Sequence, residues 1–487
     1  MTLNQNPGGA RRAVTRTKRA LAAHLLAPLV LMGASAIIHA DDGDPDTTFS
    51  GDGKAIHAWP TSYAGNSVGD VTTRSVASFQ DGSIVVAGTV DVVSSFDLCG
   101  IVRFKSNGSV DTNFGSAGSV FVDFGDPSAK SEALGIFAAP ANATLIVGVA
   151  ETMARPGHRP ALAKLLSNGQ LDTSFGVGGR LIIQTQPYGA AATTLFDAAA
   201  MAPDGKILLA GRCDQCGGGS SDDFVAVRLN ANGAVDATFG TSGWIRFGRK
   251  DGQNRDVPEV ATSVAIDTQG KVVLGGYSEA YNDNSHQQKP LLVRFTATGQ
   301  LDTTFNGSGA LDINLPGSLA TSAVAIDAYN DGIIVATNIT NTASVIPGAL
   351  IVRVKRNGVV DTNFGGTGLV AMQYDEGTNI TALAVRRDRR IVAAGWIDPV
   401  GPDTRDFFAA RTYFYGNLDT SFDGNGVSRY SMPFAPNSID IPFAISLSAE
   451  RPVIAGTLYD PTAPGFGTYA TGVLRLKSDG IFENDFD

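Results

Sequence analysis

Cations and carboxylates recur at a fixed distance from each other along this chain, and they are its most regular residues capable of chemistry. Seven units each place a cation eleven residues before a phenylalanine, at Arg103, Lys164, Arg228, Arg294, Arg353, Arg411 and Arg475. An acid follows each cation eight residues later, at Asp111, Asp172, Asp236, Asp302, Asp361, Asp419 and Glu483. Seven carboxylates around one opening would suit a cation or a sugar. An acid that follows a cation across a tight turn can also fold back to pair with it, and this structural interpretation is the favoured one.

Calcium is the one metal that the sequence leaves open. Residues 419–425 follow the opening of an EF-hand loop, but the twelfth position of that loop is Tyr430. A second stretch begins in the same way at Asp46 and reaches His57 at the twelfth position. Neither has the bidentate glutamate that completes an EF-hand site. We therefore interpret both as glycine-rich turns and predict no cofactor.

Two of the three cysteines lie close together in a loop rich in glycine and serine. Cys213 and Cys216 are separated by two residues. Redox catalysis by such a pair needs a strand-to-helix setting that this loop does not offer, and zinc would lack two ligands. In an oxidising compartment the spacing predicts a small disulfide. Cys99 falls in a predicted strand and is expected to be a buried free thiol.

Catalytic motifs are absent from the sequence. Beyond residue 40 the histidines are His57, His158 and His286, which belong to different repeats. We find no nucleophile elbow, zinc-protease motif or phosphate-binding glycine loop. A carboxylate pair assembled from distant segments, as in glycosidases, stays open because sequence alone does not show which segments meet. No catalytic residue is predicted, and the ligand-binding residues stay unknown.

The charged pairs belong to one repeated loop, seen most fully at residues 107–118 as NGSVDTNFGSAG. The loop is centred on phenylalanines that lie 58 to 66 residues apart, namely Phe49, Phe114, Phe175, Phe239, Phe305, Phe364, Phe422 and Phe486. A glycine lies six residues before each phenylalanine. Another glycine lies four residues after each phenylalanine except Phe486, which is followed by only one residue. Such glycine columns indicate backbone with positive φ or a close approach that a Cβ would block. The phenylalanines are predicted to fill the groove between adjacent repeats. A residue that packs neighbouring repeats together is needed in every repeat, whereas a residue of a single active site is needed only once.

The segments between the loops predict four strands per repeat. Residues 260–267 alternate as a strand, residues 271–276 and 291–295 form two further apolar runs, and residues 244–247 follow a loop directly. Runs such as residues 206–211 are apolar at consecutive positions, so both faces of those strands must be covered. Four-stranded sheets stacked around a channel meet this condition. We therefore predict an all-β fold, a seven-bladed β-propeller.

The domain organisation follows from the repeat. Residues 1–40 are predicted to be a signal peptide and residues 41–487 one propeller. Its seven repeats run approximately over 53–114, 115–175, 176–239, 240–305, 306–364, 365–422 and 423–487. Incomplete copies of the loop lie near both ends, at 43–53 and 480–487, and we expect them to meet and to complete one connection together.

The repeated cores resemble the bacterial delta-60 repeat. The resemblance rests on the LDTSFG and VDTNFG cores at residues 171–176 and 110–115, each preceded by a glycine turn and an apolar strand. It covers nearly all of residues 43–487. The resemblance implies an exported or surface-associated repeat protein with a β-propeller fold. It brings no established activity and no catalytic residue.

Export is also predicted by the first 40 residues. Five basic residues precede the apolar run 20–36, which ends in small residues, the layout of a signal peptide. A retained membrane anchor and twin-arginine export are the less favoured interpretations. Removing this segment changes the net charge from −10 to −15, since it holds five cations and no acid. That balance disfavours nucleic acid as a partner, and no membrane span is expected after cleavage. The protein should then be periplasmic, on the cell surface or extracellular.

The loops differ sharply in how much they vary. Short turns and the phenylalanine loops are nearly constant and should lie on one face, whereas long individual loops such as residues 151–160 and 213–223 should lie on the other. Repeat proteins place their individual character on the binding face. We expect a binding or cell-surface interaction module whose partner, a protein or polysaccharide of the envelope or matrix, meets the variable loops. The alternative is an exported propeller-type enzyme, a polysaccharide lyase or glycoside hydrolase.

Overall fold

Short apolar runs between glycine turns form strands throughout the part of the chain that the structure describes. The structure is a computed structural model, and all described residues belong to the unit Ala40–Asp487. The described ranges are 42–92, 97–126, 129–152, 155–184, 186–189, 192–216, 221–282, 285–315, 320–329, 332–340, 348–372, 377–398, 405–436, 438–463 and 467–478. The predicted signal peptide lies outside them.

The strands are grouped into seven sheets, here called blades 1 to 7. The chain begins with β1 (Lys54–Ala58) and β2 (Ser62–Tyr63). Blade 1 comprises β3 (Asn66–Ser78), β4 (Ile84–Val92), β5 (Leu98–Phe104) and β6 (Ser119–Val122), with β2 beside β3. Blade 2 comprises β7 (Ala129–Ala139), β8 (Ala143–Thr152), β9 (Arg155–Leu165) and β10 (Arg180–Ile182), with a short 3-10 helix at Pro140–Asn142. Blade 3 comprises β11 (Thr193–Met201), β12 (Ile207–Asp214), β13 (Asp222–Leu229) and β14 (Trp244–Phe247).

The remaining blades repeat this order. Blade 4 comprises β15 (Glu259–Ile266), β16 (Val272–Asn282), β17 (Ser285–Phe295) and β18 (Ala310–Asp312). Blade 5 comprises β19 (Ala320–Tyr329), β20 (Gly332–Thr340), β21 (Gly348–Lys355) and β22 (Leu369–Met372). Blade 6 comprises β23 (Gly377–Val385), β24 (Ile391–Asp398), β25 (Asp406–Thr412) and β26 (Val427–Tyr430). Blade 7 comprises β27 (Ile439–Ser448), β28 (Arg451–Asp460), β29 (Thr468–Arg475) and, from the start of the chain, β1.

The first strands of neighbouring blades lie beside each other, and β27 of blade 7 lies beside β3 of blade 1, so the blades close into a ring. All strand pairs within the blades are antiparallel. This arrangement confirms the predicted all-β, seven-bladed β-propeller.

The apolar core lies between the blades. Between blades 3 and 4, for example, Leu208 and Ala210 of β12 pack in one buried cluster with Val272 and Leu274 of β16. Burying apolar side chains on both faces of each sheet explains the uninterrupted apolar runs in the sequence. A blade without its neighbours would expose both faces to water, so the ring stabilises each blade.

Strand β1 connects the two ends of the described chain. It pairs antiparallel with β29, Lys54 opposite Leu474, and so forms the outer strand of blade 7. The loop before it takes the place of the loop that follows the third strand in every other blade, because the Asp46 N–H donates to the Arg475 carbonyl at 2.8 Å. Thus the N-terminal loop copy, 43–53, completes this connection. The C-terminal copy lies outside the described residues.

The antiparallel order gives the ring two different faces. The turns between first and second strands and the phenylalanine loops between third and fourth strands share one face, which we call the Phe-loop face. The loops between second and third strands and the connections between blades share the other, which we call the variable-loop face. Among the described residues, none forms a helix long and apolar enough to cross a membrane.

Candidate functional site

The repeated cation lies at the interface between blades, as Arg228 of blade 3 shows. Its Nε donates to Asp236 at 2.9 Å, and its Nη1 donates to the Ala297 carbonyl of blade 4 at 2.6 Å. The guanidinium also lies 4.0 Å over the ring centroid of Phe239, which is fully buried. One side chain thus joins its own loop to the next blade by an ion pair, a hydrogen bond and a cation–π contact.

The other copies repeat this arrangement with small changes. Cation and acid pair at Arg103–Asp111, Lys164–Asp172, Arg294–Asp302, Arg353–Asp361 and Arg411–Asp419. The loop phenylalanines are buried at Phe114, Phe175, Phe305, Phe364 and Phe422. At the closure of the ring, Arg475 donates from Nε to Asp46 at 2.8 Å and lies over Phe49. Glu483 lies outside the described residues.

The backbone of each loop also binds the next blade. In the loop of blade 3, the Gly240 N–H donates to the Thr298 carbonyl of blade 4 at 2.9 Å. Gly299 follows with φ of +83°, and a Cβ there would lie 2.5 Å from the Gly240 nitrogen. A side chain is therefore excluded by both conformation and space. The most repeated residues of the chain hold the ring together, and their carboxylates pair with arginine or lysine side chains instead of facing an open channel.

The two acids considered for calcium are held in the same way. Asp419 accepts from Arg411 at 2.7 Å and pairs with Arg390, and Asp46 accepts from Arg475 and pairs with Arg451. Guanidinium groups thus contact one oxygen of each carboxylate, and the hydroxyls of Ser421 and Thr48 donate to the other oxygen.

The three cysteines lie in two different settings. Cys213 and Cys216 form a disulfide at the end of β12, on the variable-loop face. Cys99 is fully buried in β5, where burial raises the pKa of its thiol well above the usual value. Its Sγ donates to the Ser131 carbonyl of blade 2. Cys99 is therefore a packed residue at a blade interface.

A different group of ionisable residues lies where the channel opens on the variable-loop face. We call it the channel-mouth cluster, and its members are Arg74, Glu132, Glu151, His158, Asp197 and Arg212. Sequence reasoning did not select any of them as a site residue. They come from blades 1, 2 and 3, so that only the folded ring brings them together.

Regular β-bulges place two members of the cluster. Each first strand has one unpaired residue at the equivalent position, which is Arg74 in blade 1 and Asp197 in blade 3. A bulge redirects a side chain out of the regular alternation. Burial raises the pKa of Asp197, while the guanidinium groups of Arg212 and Arg74 lower it. Because blades 1 and 3 are not neighbours, Arg74 and Asp197 interact across the channel.

Three members form a tight group on successive strands of blade 2. Glu132, Glu151 and His158 each offer a ligand atom, and these atoms lie within 4.8 Å of one another. Glu151 is directly opposite His158 in the ladder between β8 and β9. Blade 3 orients the imidazole of His158, since the Phe196 N–H donates to His158 Nδ1 at 3.2 Å.

The hydrogen bond from Phe196 determines which kind of ligand can bind to Glu132, Glu151 and His158. A neutral imidazole with an accepting Nδ1 carries its proton on Nε2, and a protonated Nε2 does not ligate a metal. Metal-binding histidines donate from their second nitrogen, whereas His158 accepts there. The two carboxylates are thus better suited to a ligand that donates hydrogen bonds, such as an ammonium, a guanidinium or a sugar hydroxyl, while the Nε2–H of His158 is left as a donor.

Acidic residues continue beyond the cluster into blade 4. Asp222 pairs with Arg212 at 3.7 Å. Burial raises the pKa of Tyr277, and the charges of Glu279 and Asp222 raise it further. The carboxylates in this region outnumber the guanidinium groups, so an approaching ligand meets a negative surface.

Comparison with known proteins supports the architecture. Residues 80–114, 144–175, 202–239 and 270–305 match a family described as a domain of unknown function (DUF5122) beta-propeller. These four segments are therefore similar to the repeats of that family. No curated protein is significantly similar in sequence.

Several solved structures match this chain at low identity. The polysaccharide lyase Uly1 is 12% identical, with a TM-score of 0.48 over 91% of this chain and 94% of that one. A PL25 ulvan lyase bound to an oligosaccharide is 10% identical, with a TM-score of 0.45 over 88% of this chain and 94% of that one. The β-propeller domain of the Trilobed protease from Pyrococcus furiosus is 9% identical, with a TM-score of 0.42 over 86% and 99%. These similarities concern the fold alone.

Proposed function

We propose that this protein is an exported binding module that meets its partner through the variable-loop face of the propeller. The partner presents cationic or other hydrogen-bond-donating groups to the channel-mouth cluster. The observation that carries the proposal is the grouping of Glu132, Glu151 and Asp197 from two blades around one opening. The Phe-loop face, by contrast, uses its repeated charges to join the blades.

The delta-60 assignment and the export route belong to the same proposal. The repeated LDTxFG cores and the basic, apolar first 40 residues support an exported delta-60-type protein that acts in the periplasm, on the cell surface or outside the cell. The disulfide between Cys213 and Cys216 is compatible with an oxidising compartment. N-terminal sequencing of the protein from its host tests the route, because cleavage before Asp41 is expected and an intact Met1 would contradict it.

A matched pair of variants tests the binding face. The triple variant Glu132→Gln, Glu151→Gln, Asp197→Asn removes three negative charges from the channel-mouth cluster with little change in shape. The control variant Asp52→Asn, Asp204→Asn, Asp267→Asn removes three from the Phe-loop face, and asparagine retains the side-chain oxygen that each turn uses. Both should have the same melting temperature as the wild type.

Binding to isolated envelope and matrix fractions is then measured against salt concentration. The channel-mouth variant should lose binding, and the control should retain it. Wild-type binding should also weaken as salt screens the charges. Retained binding in the channel-mouth variant, together with loss in the control, would assign the working surface to the Phe-loop face.

An exported enzyme is the second candidate. The observation that favours it is His158 beside two carboxylates, since such a group can transfer protons. A polysaccharide lyase or glycoside hydrolase would release product from a screen of polysaccharides. Retention of a polymer without product supports the binding module, and product release that is lost in His158→Ala supports the enzyme.

A further inference from the structure

A groove runs along the outer side of the ring where blade 7 meets blade 1. We call it the seam groove, and its volume is about 550 Å³. Its walls come from the segment His57–Tyr63 on one side and from the loop and outer strand of blade 1, including Ser116 and Phe121, on the other. It lies away from the channel-mouth cluster and is independent of the function proposed above. The volume is within the range of small-molecule sites.

The seam groove depends on a feature specific to this junction. Blade 1 has a fifth strand, β2, and in the described residues the other six sheets have four. β2 pairs with the start of β3 and presents Tyr63. Trp59 anchors the segment, since its Nε1 donates to Thr471 of blade 7 at 3.0 Å and its ring contacts Phe121 of blade 1. An ordinary blade junction lacks this added wall.

Aromatic rings from both walls meet at one end of the groove. The ring centroids of Tyr63 and Phe121 lie 4.6 Å apart, and Phe121 lies 5.6 Å from Trp59. Tyr63 is 38% exposed although it is a large apolar residue. An exposed aromatic ring beside a cavity is a stacking surface for a flat apolar face, and the C–H face of a sugar ring is such a surface.

The groove is also uncharged, which is unusual for this acidic chain. Its lining contains no aspartate, glutamate, lysine or arginine. Its polar side-chain groups are the hydroxyls of Ser62, Tyr63, Ser116 and Ser119 and the imidazole of His57. Burial lowers the pKa of His57 to about 4, so the ring is neutral at physiological pH. A charged ligand would leave water without gaining a countercharge, whereas a neutral ligand with hydroxyl groups meets matching partners.

We propose that the seam groove is a binding site for a neutral sugar ring of a glycan, stacked on Tyr63 and hydrogen-bonded to the serine hydroxyls around it. The aromatic wall selects a ligand with an apolar face. The absence of charge in the lining selects neutral sugars over uronic acids and sulfated sugars. The hydroxyls select a sugar over a purely apolar ring.

Saturation-transfer NMR and intrinsic fluorescence test this with named probes. The full-length protein is titrated with cellohexaose, maltohexaose, mannohexaose, xylohexaose and galactohexaose, and with hexamers of galacturonic acid. At least one neutral hexamer should bind and change the fluorescence of Trp59, which lies beside Phe121. The galacturonic acid hexamer should bind at least tenfold more weakly.

Variants locate the binding in the groove. Tyr63→Ala should weaken affinity at least tenfold, and Tyr63→Phe should keep it within threefold because the ring remains. Ser116→Trp fills the groove without removing an aromatic wall and should abolish binding. Tyr415→Ala is the matched control, since Tyr415 is 65% exposed on the Phe-loop face. The channel-mouth variant should bind the hexamer as the wild type does, which separates this site from the function proposed above.

Three results would overturn the proposal. One is the failure of every neutral hexamer to bind. Another is binding that Tyr63→Ala and Ser116→Trp leave unchanged, because the ligand would then lie elsewhere. The third is equal or tighter binding of the galacturonic acid hexamer, because the uncharged lining would then not select the ligand.

Discussion

Asp440 should make this protein less stable as the pH rises, because its carboxylate is buried without a cation in contact. It lies in β27 at the interface with blade 6 and is fully buried. Oδ2 accepts from the Met432 N–H at 3.1 Å, and the Ser438 side chain also hydrogen-bonds to the carboxylate, but burial outweighs both contacts. Burial raises the pKa of Asp440 to about 6 from the ordinary 3.8. The proton is therefore held more tightly in the folded state.

The sign and size of the effect follow from this difference. A group that binds its proton more tightly when folded lowers the free energy of unfolding as pH rises from the unfolded pKa through the folded pKa. A difference of about 2 in pKa corresponds to ~3 kcal/mol. Asp440→Asn removes the titration and preserves the shape. The stability of the variant relative to the wild type should thus rise by ~3 kcal/mol between pH 3 and pH 8, with most of the change between pH 4 and 6.

Urea unfolding followed by tryptophan fluorescence at intervals from pH 3 to pH 8 measures this change. The quantity of interest is how the difference in free energy of unfolding between variant and wild type changes with pH. Any effect of the amide that does not depend on pH therefore cancels. Asp460→Asn is the control, because hydrogen bonds from the Thr462 side chain and backbone lower the pKa of Asp460 and its pH dependence should have the opposite sign. A constant difference between wild type and Asp440→Asn across this range would show that Asp440 keeps an ordinary pKa and would refute the reasoning.

Three further predictions concern the joints between blades. Phe239→Ala should lower the free energy of unfolding by ~3–5 kcal/mol, measured by calorimetry, because it empties a buried site; an unchanged melting temperature would indicate an exposed binding residue. Arg294→Lys should cost ~1–3 kcal/mol, because lysine lacks the second nitrogen that donates to the Arg356 carbonyl of the next blade. The reverse substitution, Lys164→Arg, should not lower the free energy of unfolding, because lysine is the native residue there and arginine can make the same ion pair with Asp172. Deleting residues 42–53 should lower the melting temperature by removing the phenylalanine and acid of blade 7, and an unchanged melting temperature would contradict the observed closure.

The repeated loop could be interpreted from the sequence because the chain contains its own comparison. Eight copies show which positions never change, and constancy at Gly299 or Phe239 means that every junction needs the same contact. The strand order and the blade number follow from the same repetition. The structure adds how the sequence repeats correspond to the blades. The strand that directly follows each phenylalanine loop begins a new sequence repeat but forms the outer strand of the preceding blade, as β1 does for blade 7.

The channel-mouth cluster could not be predicted in the same way. Asp197 and Arg74 face the channel because a bulge displaces them, and a bulge leaves no mark in the pattern of apolar residues. Glu132 and His158 both belong to blade 2, and no other repeat has the same residue at the equivalent position. Comparing the repeats with one another therefore does not single them out. The sequence does indicate the face, since His158 lies within the variable stretch 151–160. The seam groove was equally hidden, because Tyr63 and Phe121 lie on opposite edge strands of blade 1 and meet only when that blade has folded.

The ring closure sets the order in which this chain can finish folding. Arg475 and its partner Asp46 are 429 residues apart, so the first strand must wait until nearly the whole chain has emerged during synthesis or transport. Blades 1 to 6 contain their own strands and can assemble earlier, as domains of growing chains do. Bringing together segments so far apart is slow. Capturing β1 is therefore the last step, and until then the open edge of β29 is the place where a chaperone would have most to protect.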